Sequence, residues 1–514
     1  MMEQGAIAAL YTKCESQRSP YLMRGRESSR ITIPTILTDA GNKSASKYPT
    51  PYQSVGARGV NNLSSALLLS LLPPNAPFFR LVLNEEEKKK LEQLGPEVSA
   101  EIEKSLSSIE RSVAREIEIS TIRVATFEAL RHLVVTGNAL LYMPDEGAMR
   151  VIHMDRYIVK RDPMGNAQCI IMKESIAPAM LPESIRAYVE SDLAEYEDIV
   201  DLYTKQQVLP NGKVEVTQEV RGKIIEETVQ TFPATRSPFI ALRMMRVDGE
   251  DWGRGYIEQY LGDLQSLEGL TRAIVEGAAA SAKVLFLVNP NGTTRARTLA
   301  ESPNGAIREG SAADISVLQT QKSADFQVAL STMQQIQDRL AYAFLLTEST
   351  IRNAERVTAE EVRLVTQSIE RQLGGIYSVL SQEFQLPLVH RVMDRMEKKG
   401  DLPKIPRDKI TPAIITGIEA LGRGNDLNRL DVYLTGIAQV LGPEAINKYV
   451  NIREYMNRRA SALGIDTDNL VRSEEELAQM EQMQQQQMAA QQMGPPMAQA
   501  AGRMMEQQQQ AEPE

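Results

Sequence analysis

This chain of 514 residues carries three histidines, His132, His153 and His390, and two cysteines, Cys14 and Cys169. Those side chains are the ones best suited to metal ligation or nucleophilic work near neutral pH. The histidines fall on different expected elements without metal-ligand spacing, which points to structural or surface roles and leaves a cluster formed only in the fold open but without support. The cysteines are far apart and provide no disulfide framework. Gly212-Lys213 and Gly222-Lys223 lack both the following Ser or Thr and the upstream glycine of a phosphate-binding loop, so they read as hairpin turns. Gly253-Arg254-Gly255 and Gly422-Arg423-Gly424 have no third glycine and no preceding strand. They read as glycines that open or join helices, not as a dinucleotide site. Asp466-Thr467-Asp468 starts like a calcium loop but lacks the glycine and the closing acid that such a loop needs. No Gly-x-Ser-x-Gly, His-Glu-x-x-His or Cys-x-x-Cys motif occurs. No enzymatic activity, cofactor or metal is therefore expected.

The remaining candidates are charged residues whose placement matters more than their reactivity. Ile257, Leu261, Leu264, Leu267, Leu270 and Ile274 recur at three- and four-residue steps, the mark of a helix with one apolar stripe, while Glu258, Asp263, Glu268 and Glu276 project elsewhere. Phe326, Leu330, Met333, Ile336, Leu340 and Phe344 repeat the pattern. At the helical rise the two helices span roughly 40 Å and roughly 30 Å. Between them Val284 to Val288 reads as a strand and Asn289-Pro290-Asn291-Gly292 as a turn in which Gly accepts positive φ. Arg295, Arg297 and Arg308 lie in this insertion. After the second helix, Thr358-Ala359-Glu360-Glu361 reads as a capping box. It closes a loop that carries Glu348, Arg352, Glu355 and Arg356.

Around this segment the pattern changes. Glu85 to Ile119 reads as one or two charged helices, Phe127 to Val135 continues at helical spacing, and Gly137 ends that element or permits close packing. From Met149 to about Val247 the period approaches two, with hairpins turning at Asp162 to Asn166 and at Pro210-Asn211-Gly212. No parallel βαβ rhythm appears. Beyond Glu361 a helical pattern runs toward Lys399, with Pro387 as a kink or break and Gly374-Gly375 as a bend or close contact. Ile410 to Gly464 reads as helical, and the chain after Glu476 becomes a low-complexity run of Gln, Met and Ala.

The formal charge of −10 argues against tight nucleic-acid binding, which needs basic patches that release counterions from phosphates. No secretory signal is visible, and the most apolar run, Leu63 to Leu72, stops at Pro73-Pro74 and is too short to cross a bilayer. It reads as a core helix.

The segment Tyr48-Pro49-Thr50-Pro51-Tyr52-Gln53-Ser54-Val55-Gly56-Ala57-Arg58-Gly59-Val60-Asn61-Asn62-Leu63 resembles the head-to-tail connector, or portal, protein of short-tailed bacteriophages of the autographivirus type. Phe127-Glu128-Ala129-Leu130, Val134-Val135-Thr136-Gly137-Asn138, Arg246-Val247-Asp248-Gly249-Glu250 and Tyr256 to Leu264 resemble the same family in the same order. So do Glu355 to Glu361, Gly374 to Ser378 with Leu386-Pro387-Leu388, and Gly422-Arg423-Gly424.

The resemblance implies an α+β, mainly helical and elongated portal subunit. Its parts would be a wing over 1–254, a stem helix over 255–283, a clip over 284–323 and a second stem helix over 324–346. A tunnel loop over 347–357, a long wing helix region over 358–409, a helical crown over 410–470 and a Gln/Met-rich tail over 471–514 would follow. It also implies a dodecameric ring at one capsid vertex, which nucleates assembly and conducts double-stranded DNA inward during packaging and outward at infection. The implied partners are the major capsid and scaffolding proteins, the terminase large subunit that holds the ATPase, the tail adaptor and the internal core proteins. The setting would be the virion, assembled in the bacterial cytoplasm, with no membrane.

On this reading Glu258, Asp263, Glu268 and Glu276 either keep the channel wall repulsive to phosphate or pair between subunits. Arg352 and Arg356 either touch DNA or bridge to Glu348 and Glu355 of neighbouring loops. Arg295, Arg297 and Arg308 either meet acidic partner surfaces or line a solvated rim. Two other classes stay open. A non-portal coat or scaffold protein would also be acidic and free of motifs, and a nuclease would need clustered acids with a divalent metal.

Overall fold

Helical spacing organises the N-terminal part of the chain. The structure, a computed structural model, describes residues 5–39, 47–74, 78–94, 96–186, 188–189, 199–281, 285–318, 323–346 and 373–414, with a few more between 433 and 456. The chain forms two units, Met1–Ala420 and Leu421–Glu514, and nearly all described residues belong to the first. Helix α1 (Ala6–Ile31) is followed by α2 (Val55–Leu71), which buries Val60, Leu63, Leu67 and Leu71 and is the core helix expected there. Strand β1 (Phe79–Leu83) leads to α3 (Glu85–Leu94) and α4 (Pro96–Ile119), the expected charged helices. Helix α5 (Ile122–Thr136) then stops at Gly137, whose φ of 79° is left-handed and whose N–H donates to the Leu133 carbonyl at 2.8 Å.

Alternating residues take over after Gly137. β2 (Asn138–Tyr142) pairs with β3 (Arg150–Ile152). A five-stranded meander follows, of β4 (Tyr157–Arg161), β5 (Ala167–Ile176), β6 (Val200–Val208), β7 (Lys213–Val220) and β8 (Lys223–Pro233), with a short helix α6 (Glu183–Arg186) between β5 and β6. β9 (Phe239–Arg243) returns to the free edge of β2, giving the order β3-β2-β9. Every described pairing of these strands is antiparallel, as the missing βαβ rhythm requires. Both Gly-Lys pairs sit at turns, with Gly212 and Gly222 at φ 75° and 77°.

Leu140, Tyr157, Ile170, Phe239 and Trp252 form a core shared by the two sheets. Helix α1 is clamped onto the meander from two directions. The buried Glu219 carboxylate of β7 accepts from the Ile7 and Ala8 amides at 2.8 and 3.1 Å, placing negative charge at the positive end of the helix. The buried guanidinium of Arg18 donates to the Tyr157 carbonyl at 2.8 Å and to the Tyr11 hydroxyl at 3.0 Å. Cys14 and Cys169, distant in sequence, share one small apolar cluster on this face as free thiols.

The chain then enters α7 (Leu261–Ser281), β10 (Leu285–Val288), α8 (Ala296–Ala300), β11 (Ile315–Leu318) and α9 (Ser323–Ala343). Residues 373–380 are helical, and a π-helical turn at Ser381–Gln385 joins them to α10 (Leu386–Lys399). Pro387 sits in the first turn of α10, where its missing N–H is absorbed by the widened π turn and no break occurs. Among the described residues nothing stands within 4 Å of where a Cβ on Gly374 or Gly375 would lie. The Gln385 amide donates to the Leu71 carbonyl at 2.6 Å and the Tyr377 hydroxyl to the Ser70 carbonyl at 3.1 Å, which ties this helix to the end of α2.

One expectation fails at the far end. Residues from Ile410 onward read as helical, yet β12 (Ile410–Ile414) is a strand paired antiparallel with β1. Its partner lies more than three hundred residues earlier, so local spacing carried no sign of it.

Candidate functional site

The apolar stripes of α7 and α9 meet, but burial fades along them. Leu264 and Leu267 of α7 and Ile336, Leu340 and Phe344 at the other side of the seam are buried. Toward the insertion, Val275, Val328 and Leu330 are 50%, 68% and 43% exposed. A four-residue 3-10 turn, Ile257–Tyr260, leads into the 21 residues of α7, so the expected length of about 40 Å is reached by two geometries in series. Gly277 lets the helices close there, since a Cβ on it would lie 2.8 Å from the Phe326 ring.

All four candidate carboxylates find partners within the chain. Glu258 lies 3.3 Å from Arg24 and 3.7 Å from Arg254, and Asp263 accepts from Arg339 of α9 at 2.9 Å. Glu276 accepts from Arg272 one turn away at 2.8 Å. Glu268 is different, because it accepts from the Tyr52 and Gln53 amides at 2.9 and 3.0 Å, ahead of α2. The negative charge along α7 is thus locally balanced by arginine at three of the four positions.

In the insertion, β10 and β11 pair antiparallel, and the turn closes with the Gly292 N–H on the Asn289 carbonyl at 3.0 Å. Gly292 is required for a reason other than positive φ, since a Cβ there would stand 2.3 Å from the Asp314 carboxyl carbon. Asp314 accepts from the Thr294 amide at 3.0 Å and the Thr293 hydroxyl at 3.1 Å, and these bonds hold its carboxyl below the usual carboxylate range. Arg297 pairs with Glu301 at 3.0 Å and Arg308 donates to the Ser302 hydroxyl at 3.1 Å, while Arg295 stands exposed at the start of α8.

Glu348, Arg352, Glu355 and Arg356 lie outside the described residues, but the root of their loop is well built. Helix α9 ends with Leu345 at φ 57°, and the Leu346 N–H reaches back to the Ala341 carbonyl at 2.8 Å, the bond of a Schellman closure. A leucine in that conformation costs about 1 kcal/mol or more relative to a right-handed one. The surroundings hold it there. The Asn62 amide of α2 donates to the Phe344 and Leu345 carbonyls, both at 3.0 Å. The Tyr256 hydroxyl donates to the Ala343 carbonyl at 3.0 Å. Phe344 packs where a Cβ on Gly59 would fall 2.5 Å from its ring.

Where the chain enters α7, three backbone segments nearly touch. The Asn138 side chain accepts from the Gly253 amide at 2.7 Å and donates to the Gly253 carbonyl at 2.9 Å. A Cβ on Gly255 would lie 2.5 Å from the Val135 carbonyl oxygen, and one on Gly137 would lie 2.3 Å from the carbonyl carbon of Arg254. The Gly253-Arg254-Gly255 pair therefore serves close packing at a helix entrance.

The family described as bacteriophage head to tail connecting protein matches residues 4–471. The chain belongs to that family. This connector is 40% identical over 487 residues to the portal protein of Escherichia phage T7, covering 93% of this chain and 90% of that protein. It is 40% identical over 482 residues to the portal protein of Enterobacteria phage T3, with 92% and 89% covered. Over 486 residues it is 30% identical to the portal protein of Enterobacteria phage SP6, with 93% and 92% covered. Among solved structures, the neck of an empty gene transfer agent particle with C6 symmetry shows 11% identity and a TM-score of 0.38 over 85% of this chain and 94% of that one. That likeness is too loose to support an inference.

One group in the connector was met in the sequence only as separate residues. His132 of α5 and His153, which follows β3, meet edge to face with ring centres 4.7 Å apart, and Glu128 joins them one turn before His132. Burial, with the charges of His153 and Arg131 adding to it, pushes His132 down to about 3, so its ring is neutral under ordinary conditions. The Glu128 to His132 spacing of four residues on a helix was the available signal. The third member arrives only through the fold.

Proposed function

We propose that this chain is the subunit of a portal ring at one vertex of a bacteriophage capsid, a component of the virion that conducts double-stranded DNA. The observation that carries this reading is the 40% identity to a portal protein across 93% of the chain. Membership in the connector family makes the protein structural and not enzymatic. In this reading α7 and α9 are the stem, residues 284–323 the clip and 347–357 the tunnel loop. Residues 1–254 and 358–409 form the wing, 410–470 the crown and 471–514 a tail. Val275, Val328, Leu330 and Tyr342, exposed along the helix pair, fit a heterologous contact with neighbouring copies that closes into a ring of twelve.

DNA would slide because nothing holds it firmly. A chain of net charge −10 with locally paired carboxylates offers phosphate neither strong attraction nor a deep repulsive barrier. The work would come from the terminase ATPase, with Arg295, Arg297 and Arg308 meeting acidic faces of terminase or tail adaptor, and Arg352 and Arg356 touching DNA in transit. Major capsid, scaffolding and internal core proteins complete the partners, with assembly in the host cytoplasm.

Electron microscopy of the purified protein tests the central claim. Closed rings with an axial channel are expected, whereas monomers, open filaments or solid particles would overturn it. DNA retention and ejection by an Arg352→Ala, Arg356→Ala double variant, and terminase binding by charge-reversed Arg295, Arg297 and Arg308, test the finer assignments. Unchanged behaviour would remove those roles.

A further inference from the structure

We infer that Glu128, His132 and His153 form a site for a divalent transition-metal ion of the zinc class. Their ligating atoms, two imidazole nitrogens and a carboxylate oxygen, all lie within 4.8 Å of one another. Tetrahedral zinc bound at about 2.0–2.1 Å separates its ligand atoms by about 3.3 Å. The set must therefore close by at most about 1.5 Å for a metal to bind all three.

The chemistry of the donors selects the metal. Two imidazoles and one carboxylate suit zinc, cobalt, nickel or copper, whereas magnesium and calcium prefer an all-oxygen shell. Three protein ligands leave a fourth position, and the exposed Glu128 marks the open side where water would complete the tetrahedron. His132 is only 4% exposed, and its ring meets the His153 ring edge to face. The nearby positive charge of Arg131 opposes a cation, and the Glu128 carboxylate offsets it.

Placement gives the ion a task. Helix α5 belongs to the main helical core, while His153 is the residue between β3 of the three-stranded sheet and the turn that starts the five-stranded meander. A metal bridging α5 to His153 would staple the meander, and α1 clamped upon it, to the helical body.

The full-length protein, free of any histidine tag and stripped with a chelator, is titrated with zinc by calorimetry. The expected result is about one zinc per chain with a dissociation constant of about 1 μM or tighter, and a rise in Tm on loading. His153→Ala and Glu128→Ala, both at positions that are not fully buried, should weaken binding by about tenfold or more while the metal-free Tm changes little. Cobalt loading should give the visible absorption of a four-coordinate site, lost in His153→Ala. Substoichiometric zinc, or equal affinity in native protein and both variants, would overturn the assignment.

Discussion

Replacing Asn62 by Ala removes the two hydrogen bonds that hold the Phe344 and Leu345 carbonyls where the chain leaves α9. Each such bond is worth about 1 kcal/mol net, so the closed root loses about 2 kcal/mol. Alanine is also a better helix former than asparagine by about 0.5 kcal/mol, and that gain within α2 offsets part of the loss in global unfolding. It does not offset local opening of the root, because α2 stays helical when the root opens. Opening should therefore become about 30-fold more frequent, since 1.4 kcal/mol corresponds to a factor of ten. Hydrogen exchange of the Leu345 and Leu346 amides reads this directly, because both close the end of α9 by bonding to Tyr342 and Ala341. Global stability should fall by only about 1.5 kcal/mol. If both amides exchanged within about twofold of the native protein, Asn62 would not hold the root and the left-handed Leu345 would be stable by its own contacts.

Three further outcomes follow from the geometry. Gly255→Ala drives a methyl group against the Val135 carbonyl oxygen, 2.5 Å from its ideal position, and should cost about 3 kcal/mol in a denaturant titration, with ring formation reduced alongside. Arg391→Met leaves the buried Asp394 with Arg236 and Lys398 but strips the Met143 carbonyl of its donor, so a loss of about 3 kcal/mol is expected by urea unfolding. His390 is pushed down to about 4 by burial, with Arg407 and Arg236 adding to it. The unfolded chain therefore binds this proton first as pH falls. The contribution is complete above about pH 6.5 and is lost toward pH 4, at up to about 1.4 kcal/mol per pH unit. Stability measured against pH should be flatter in His390→Gln than in the native protein, and identical slopes would exclude the effect.

Much of the architecture was legible because its signals are local. The stripes of α7 and α9, the Asn211-Gly212 hairpin and the core run from Leu63 to Leu72 depend on residues within a few turns of one another. The segments that resembled the connector family also prove to be structural junctions. Gly59 and Asn62 hold the root of the loop after α9, and Gly137 and Asn138 pack against Gly253 and Gly255 at the entrance to α7. Their residue types were visible in the sequence, and their reasons were not.

What the sequence by itself determined was most of the described helices and hairpins, the absence of a catalytic motif and the family. Helix and strand periodicity, turn chemistry and ordered motifs are properties of neighbouring residues, and they survive being read along a line. Tertiary structure alone decided the pairings that cross the chain. It gave Glu258, Asp263, Glu268 and Glu276 their partners, from Arg24 on Glu258 to the Tyr52 and Gln53 amides on Glu268. It set β12 beside β1, gathered Cys14 with Cys169, and brought His153 to Glu128 and His132. The physical reason is common to all of them. Burial and desolvated charge reward contacts by distance in space, and a chain that returns on itself puts residues hundreds of positions apart within a few ångströms.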